Sequence, residues 1–111
     1  SGATTCTVSS ARFKHDIKSM DSSLDLIMSL RPVDYLRNTD NLAEHGLIAE
    51  EVEKVDKMSV FYEQDGTTPR GVKYENLVPV LIRAIQDQQK EIDSLKLRVS
   101  PLEWLIHRLL K

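Results

Sequence analysis

The sequence is poor in the residues that most often carry chemistry or insert into membranes. Only 5% of its 111 residues are aromatic, and it has one cysteine and four glycines. The single cysteine, Cys6, excludes an internal disulfide and a thiolate metal cage, and so few glycines leave no phosphate-binding glycine loop. No apolar run approaches the ~18 residues of a membrane-spanning helix. We therefore expect a protein without a metal, a cofactor or a membrane partner.

The charged residues are numerous but nearly balanced. There are 15 Lys and Arg against 17 Asp and Glu, which gives a formal net charge of −2. Nucleic-acid-binding domains carry a basic excess, so no nucleic-acid partner is predicted. Hydrophobic residues make up 41% of the chain, which is typical of one small globular domain or a coiled coil and not of a disordered chain.

The central part of the sequence changes its pattern every few residues, which is typical of short elements in a small α+β domain. Asp21 or Ser22 can cap a short helix that Pro32 ends. Asp65-Gly66 is a hairpin signal, because glycine tolerates a positive φ. In chain order we expect a strand at "PVDYLRN", a loop at "TDNLAEHG", a helix at "AEEVEKV", and strands at "SVFYEQ" and "GVKY". Together these elements predict a small antiparallel sheet with short helices on it.

The last third of the chain follows a heptad repeat. A helix is predicted to begin with Asn76 as its cap, with Pro79 in the first turn, where a missing N–H costs little. The a positions are Val78, Ile85, Ile92, Val99 and Ile106, and the d positions are Leu81, Gln88, Leu95, Leu102 and Leu109. This pattern predicts a long C-terminal coiled-coil helix over 76–111.

Successive heptads in one register indicate that this helix packs against other chains. The seam consists of Val78, Leu81, Ile85, Gln88, Ile92, Leu95 and Val99. By residue type alone it favours a parallel dimer, and a helix that only packs on its own sheet is the alternative. Gln88 either sets the register or lies at the wet rim. At Pro101 a kinked helix and a helix–turn–helix both remain open.

Near the start of the chain, "SSARFK" places Ser9 five positions before Lys14. A serine hydroxyl is a poor nucleophile until a base takes its proton, and a neutral lysine can be that base. Chance supplies many such pairs, so the spacing alone is weak evidence. The functional interpretation of this pair depends on the motifs that follow it.

Four short motifs, in order, resemble the C-terminal intramolecular chaperone domain of phage tailspikes, endosialidases and neck appendage proteins. That family opens with Ser-Asp-x-Arg-x-Lys and then an isoleucine; here "SSARFK" and Ile17 match, with Ser10 in place of the aspartate. The later motifs correspond to "LRPVDY", "HGLIAEEV", and "VKYENL" followed by the helical "LIRAIQ". The resemblance extends from Ser9 to about Leu97.

The resemblance implies a homotrimer that helps three chains of a phage fibre fold in register, in the host cytoplasm during virion assembly. It also implies self-cleavage between Val8 and Ser9, with Ser9 as the nucleophile and Lys14 as the general base. Residues 1–8 would then be the end of the upstream fibre segment, with 1–2 also open to interpretation as a cloning remnant. The chaperone domain itself would span 9–111, with its helical part at 76–111.

Three further residues are candidate supporting groups for this site. Ser10 stands at the family's aspartate position, Arg12 is placed to bind a carbonyl or carboxylate near the cut, and Glu51 matches the glutamate of the third motif. A structural ion pair for Arg12 and a helix-start carboxylate for Glu51 are the alternatives. The alternative function is a non-catalytic coiled-coil trimerisation module, in which Ser9 and Lys14 are merely strand-end residues.

Overall fold

The computed structural model describes residues 8–110, so the predictions for residues 1–7 of the upstream segment, Cys6 among them, and for Lys111 lie outside it. The fold is α+β, as predicted: two short helices and two hairpins precede one long helix. The helices are α1 (Leu24–Met28), α2 (Ala49–Val55) and α3 (Tyr74–Leu109), the strands are β1 (Val33–Leu36), β2 (Ala43–Gly46), β3 (Val60–Tyr62) and β4 (Pro69–Val72), and 3-10 turns lie at Ala11–Phe13 and Lys57–Ser59. In the described range, no helix combines the length and the apolarity needed to cross a membrane.

The first hairpin corrects the prediction of a loop at "TDNLAEHG". Its last four residues form β2, which pairs with β1 in antiparallel register, Val33 opposite Gly46 and Leu36 opposite Ala43. Residues such as Ala, Glu and Gly have low strand propensity. The strand forms here because β1 supplies its hydrogen-bonding partners, a contact that local sequence does not encode.

The second hairpin joins β3 to β4 through the predicted Asp65-Gly66 turn, where Gly66 adopts a φ of 73°. Each hairpin forms its own two-stranded sheet, so the single small sheet expected from the sequence is replaced by two. Asp65 stabilises the turn by accepting hydrogen bonds from Thr67 N at 2.8 Å, Thr68 N at 2.9 Å and Thr68 Oγ1 at 2.6 Å. These bonds, led by the one from the Thr68 hydroxyl, lower the pKa of Asp65 to about 2.

The turn is therefore expected to make hairpin stability sensitive to acid. The pKa of Asp65 is depressed in the folded state from an ordinary value of 3.8. Its contribution is therefore complete only above about pH 5 and is lost progressively as the pH falls through the folded-state pKa. We expect the melting temperature of Asp65→Ala to fall less than that of the wild type between pH 4.5 and pH 2. Melting curves followed by circular dichroism test this, and parallel losses in the two proteins would contradict it.

The long helix begins at Tyr74, two residues before the predicted start. The prediction of Asn76 as its cap is wrong, because the Asn76 side chain donates to the Met58 carbonyl at 3.0 Å and so ties the helix to the preceding 3-10 turn. Pro79 consequently lies beyond the first turn. The helix runs without interruption through Pro101, which excludes a helix–turn–helix at that position.

The buried core lies around the N-terminal end of α3. It consists of Val52 from α2, Val60 from β3, and Leu77, Val80 and Ala84 from α3. The α3 residues that pack on the domain therefore differ from the seam residues. All of the seam is exposed on the single chain, with Ile85 at 63% and Ile92 at 44% of full exposure. Packing within the chain thus does not account for the heptad repeat.

The seam opens at its N-terminal end onto an apolar groove of about 600 Å³. The groove lies between α1, the segment leading into β1, and α3, and it includes the seam residues Val78 and Leu81. Removing apolar surface of this kind from water is favourable. The exposed apolar surface of α3 therefore continues onto the body of the domain.

Candidate active site

A short 3-10 turn brings the predicted nucleophile and base together. Ser10 is its N-cap, and its hydroxyl accepts from Arg12 N at 3.4 Å. The main chain closes the turn through Phe13 N to Ser10 O and Lys14 N to Ala11 O, both at 3.0 Å. Ser9 precedes the N-cap of this turn and Lys14 directly follows the turn, so the turn brings the two side chains close together.

Lys14 Nζ donates a hydrogen bond to Ser9 Oγ at 2.7 Å. Such a distance allows proton transfer from the serine hydroxyl when the amine is neutral. The pairing is a geometric fact about the chain, whereas the catalytic roles predicted for the two residues remain predictions. A catalytic pair and a purely structural pair would both show the same short contact.

The site is open to solvent in the single chain. Every residue from Val8 to Ser22 is exposed, and the apolar side chains of Val8 and Phe13 are 66% and 58% exposed. A lysine acts as a base only in its neutral form, which burial or a neighbouring cation favours. The single chain does not provide that burial.

The two supporting residues nearest the dyad have mainly local contacts. Arg12 lies over the ring of Phe13, with its guanidinium carbon 4.6 Å from the ring centroid, a cation–π contact. No ion pair of Arg12 with a residue of the described range is found. Ser10, which replaces the family's aspartate, acts as the cap of the turn. Its side chain therefore takes the capping role that an aspartate also fills well.

The third supporting candidate, Glu51, lies in the first turn of α2. It pairs in a two-pronged contact with Arg31, whose Nε and Nη2 are 3.0 and 2.5 Å from the two carboxylate oxygens. The Arg31 hydrogen bond lowers the pKa of Glu51 and the Glu51 carboxylate raises the pKa of Arg31. Glu51 thus links the segment before β1 to α2, and it pairs with Arg31 instead of with the dyad.

Three residues from three of the sequence motifs meet at one point. Gly46 at the end of β2 lies beside the rings of Tyr35 and Tyr74, and Leu47 N donates to Tyr74 Oη at 3.0 Å. A Cβ atom at Gly46 would come within 2.8 Å of Tyr74 Oη and 3.1 Å of Tyr35 Cε1. Residues of three motifs therefore pack on one another, and glycine is needed at position 46 for this close approach.

We expect Gly46→Ala to destabilise the domain by about 1–3 kcal/mol, the usual cost of forcing an extra methyl into a packed site. Gly71→Ala is the matched control, because a Cβ there would meet its nearest atoms, in Phe61, at an ordinary 3.8 Å. Urea denaturation of both variants measures the difference. Equal unfolding midpoints would mean that the two tyrosine rings can move aside.

A contact that sequence reasoning missed joins the chain after the dyad to α3. Asp87 accepts hydrogen bonds from Ser22 Oγ and from Ser23 N. The partners are 65 and 64 positions apart in the chain, so no local pattern indicates them. The sequence shows only a carboxylate directly before Gln88, at a position of the heptad repeat that is neither a nor d.

Part of the chain matches a known protein family. Residues 9–61 match the model of peptidase family S74, described as chaperone of endosialidase. The match begins at Ser9 and covers the 3-10 turn, the first hairpin, α2 and the start of the second hairpin. The resemblance to the intramolecular chaperone domain is confirmed over this span. No curated protein matches the chain.

Proposed function

We propose that this chain, which carries the chaperone-of-endosialidase segment at residues 9–61, is a self-cleaving intramolecular chaperone. It assembles as a homotrimer through the seam, aids the folding of a phage fibre or tailspike client, and then cuts itself between Val8 and Ser9. It would act in the host cytoplasm during virion assembly. The observation that carries the proposal is the 2.7 Å contact of Lys14 Nζ with Ser9 Oγ at the first residues of the matched segment.

The proposed reaction has two steps. Neutral Lys14 takes the proton of the Ser9 hydroxyl, and the oxygen attacks the carbonyl carbon of Val8, the peptide group that immediately precedes Ser9. The Val8–Ser9 C–N bond then breaks as Lys14 returns the proton to the Ser9 nitrogen, which leaves Val8 joined to Ser9 Oγ as an ester. Water hydrolyses that ester, giving a carboxylate on Val8 and restoring the Ser9 hydroxyl.

Because the site is exposed in the single chain, the reaction would depend on assembly. Burial of Lys14 by neighbouring chains would favour its neutral form, and a fixed position for Val8 would bring its carbonyl into line with Ser9 Oγ. Neither condition is met on a lone chain in which both residues are exposed. Cutting would therefore follow correct assembly instead of preceding it.

The seam supplies the driving force for assembly. Burying its exposed isoleucine, valine and leucine side chains stabilises the assembly by roughly 25 cal/mol for each Å² of apolar surface removed from water. Once the helices associate, the client chains are held at a high effective concentration. Association of the chaperone domains thus lowers the entropic cost for the client chains of finding a common register.

The test is expression of the domain behind its own upstream segment, followed by a denaturing gel and mass spectrometry. We expect two fragments from the wild type, with Ser9 as the new N-terminal residue, and one uncut chain from Ser9→Ala. Ser19→Ala is the matched control, since it removes a hydroxyl from the same exposed segment and leaves the turn and the dyad in place. An uncut wild-type trimer would instead support the non-catalytic trimerisation module, which the exposed seam alone is sufficient to suggest.

A further inference from the structure

A small group of hydrogen bonds ties the chain that follows the dyad to α3. Asp87 Oδ2 accepts from Ser22 Oγ at 2.8 Å and from Ser23 N at 3.0 Å. The hydroxyl of Ser23 donates to the carbonyl of Val80 at 2.7 Å, in a buried position. We refer to these three bonds as the Asp87 clamp.

The clamp holds the N-cap residue of α1 against α3. Ser23 stands at the N-cap position, but its side chain makes no capping bond, because its hydroxyl is engaged with Val80 on α3. Asp87 provides the acceptor from across the packing interface, where a negative charge beside a helix N-terminus is favourable. Its side chain is only 12% exposed, with Arg83 Nε 3.3 Å from its other oxygen. The Ser22 hydrogen bond lowers the pKa of Asp87, so the carboxylate is ionised at neutral pH.

The position of the clamp connects the two parts of the proposed function. Asp87 directly precedes Gln88 of the seam, and Ser22 follows Lys14 by eight positions. All residues between Lys14 and Ser22 are exposed. Within residues 8–110, the Ser22 bond is the first hydrogen bond after the dyad that reaches another element of the fold.

We propose that Asp87 is a positioning residue that holds the cleavage segment of each chain on the helix that forms the seam. This inference rests on the proposed self-cleavage. Assembly fixes the place of α3, and the clamp passes that constraint to the segment carrying Ser9 and Lys14. Without the clamp the segment is held on α3 only through the packing of α1 that follows it, so its dyad visits the assembled site less often.

The test measures the cleavage rate constant of assembled protein only, isolated by size-exclusion chromatography before the reaction is followed on a denaturing gel. We expect Asp87→Asn to cut roughly 10- to 100-fold more slowly than the wild type, a loss typical of small misplacements of reacting groups. Ser22→Ala removes one of the two donors to Asp87. We expect its cleavage rate to lie between those of the wild type and Asp87→Asn. Asp87→Glu, which keeps the charge, is expected to recover part of the rate.

Asp93→Asn is the matched control, because Asp93 lies on the same helix and accepts a hydrogen bond from Gln89 at 2.9 Å without touching the cleavage segment. It is expected to cut at the wild-type rate. A merely structural role for Asp87 would reduce the amount of assembled protein but leave the rate constant of the assembled fraction unchanged.

The outcomes separate the two proposals. A wild type that never cuts overturns both the self-cleavage and this inference. A wild type that cuts, with Asp87→Asn cutting at the same rate, overturns the role of Asp87 alone. If Asp87→Asn does not assemble, Ser22→Ala decides: slower cutting supports the clamp as a positioning device, and an unchanged rate overturns it.

Discussion

Ile92→Asp is expected to leave the protein monomeric at concentrations at which the wild type is fully assembled. Ile92 occupies an a position in the middle of the seam and is 44% exposed on the single chain, so the substitution costs little before association. In the assembly it would place one carboxylate per chain in an apolar interior. Each such charge costs several kcal/mol unless it is paired, which corresponds to association at least ~10³-fold weaker. The proposed self-cleavage should then be lost together with assembly.

Leu97→Asp is the matched control for this experiment. It makes the same change of an aliphatic side chain to aspartate on the same helix, but Leu97 lies outside the seam and is 78% exposed. We expect it to assemble and to cut like the wild type. Sedimentation velocity across a concentration series distinguishes the two variants. Wild-type assembly of Ile92→Asp, or equal loss in both variants, would show that the heptad is not the association surface.

The second large effect is expected at Lys14. Lys14→Met keeps most of the aliphatic length but removes the base, and we expect self-cleavage to slow by roughly 10²–10⁴-fold, the usual contribution of general base catalysis. Lys14→Arg is more informative, because arginine keeps the charge and can still donate to Ser9 Oγ. Arginine does not lose its proton in proteins, so this variant should be as inactive as the methionine variant.

The arginine variant therefore separates a base from a hydrogen-bond donor. If Lys14 only orients Ser9, Lys14→Arg retains most of the wild-type rate. Lys18→Met is the control for general effects of removing a positive charge from this exposed segment, and it should cut normally. The rate of appearance of the new Ser9 N-terminus, followed in assembled protein, gives the comparison directly.

The elements that local sequence specifies were predicted well. The helix at "AEEVEKV" is confirmed over Ala49–Val55, because its residues are good helix formers preceded by an extended stretch. The Asp65-Gly66 hairpin is also confirmed, since a glycine with positive φ is a local requirement. Elements that depend on distant partners were missed. β2 forms only by pairing with β1, and the start of α3 is displaced because Asn76 binds the Met58 carbonyl instead of capping the helix.

The same division applies to the site. Ser9 and Lys14, which the resemblance singled out, lie close in sequence, and a single turn brings them into contact; their catalytic roles remain predictions. Glu51 was matched to a family motif, but its partner Arg31 lies 20 positions away and the pairing could not be read from spacing. Asp87 belongs to no motif at all. Its relation to Ser22 arises from the packing of α1 on α3, which only the folded chain reveals.

The full exposure of residues 8–22 also bears on the lifetime of a chain that fails to find its partners. A segment without buried side chains opens at almost no free-energy cost, which makes it the preferred place for a protease to cut. Under the proposed function, such a cut would detach the client from its chaperone before the client is aligned. We therefore expect unpartnered chains to be degraded and assembled chains to be spared, so that the same exposed segment would also select which client chains accumulate.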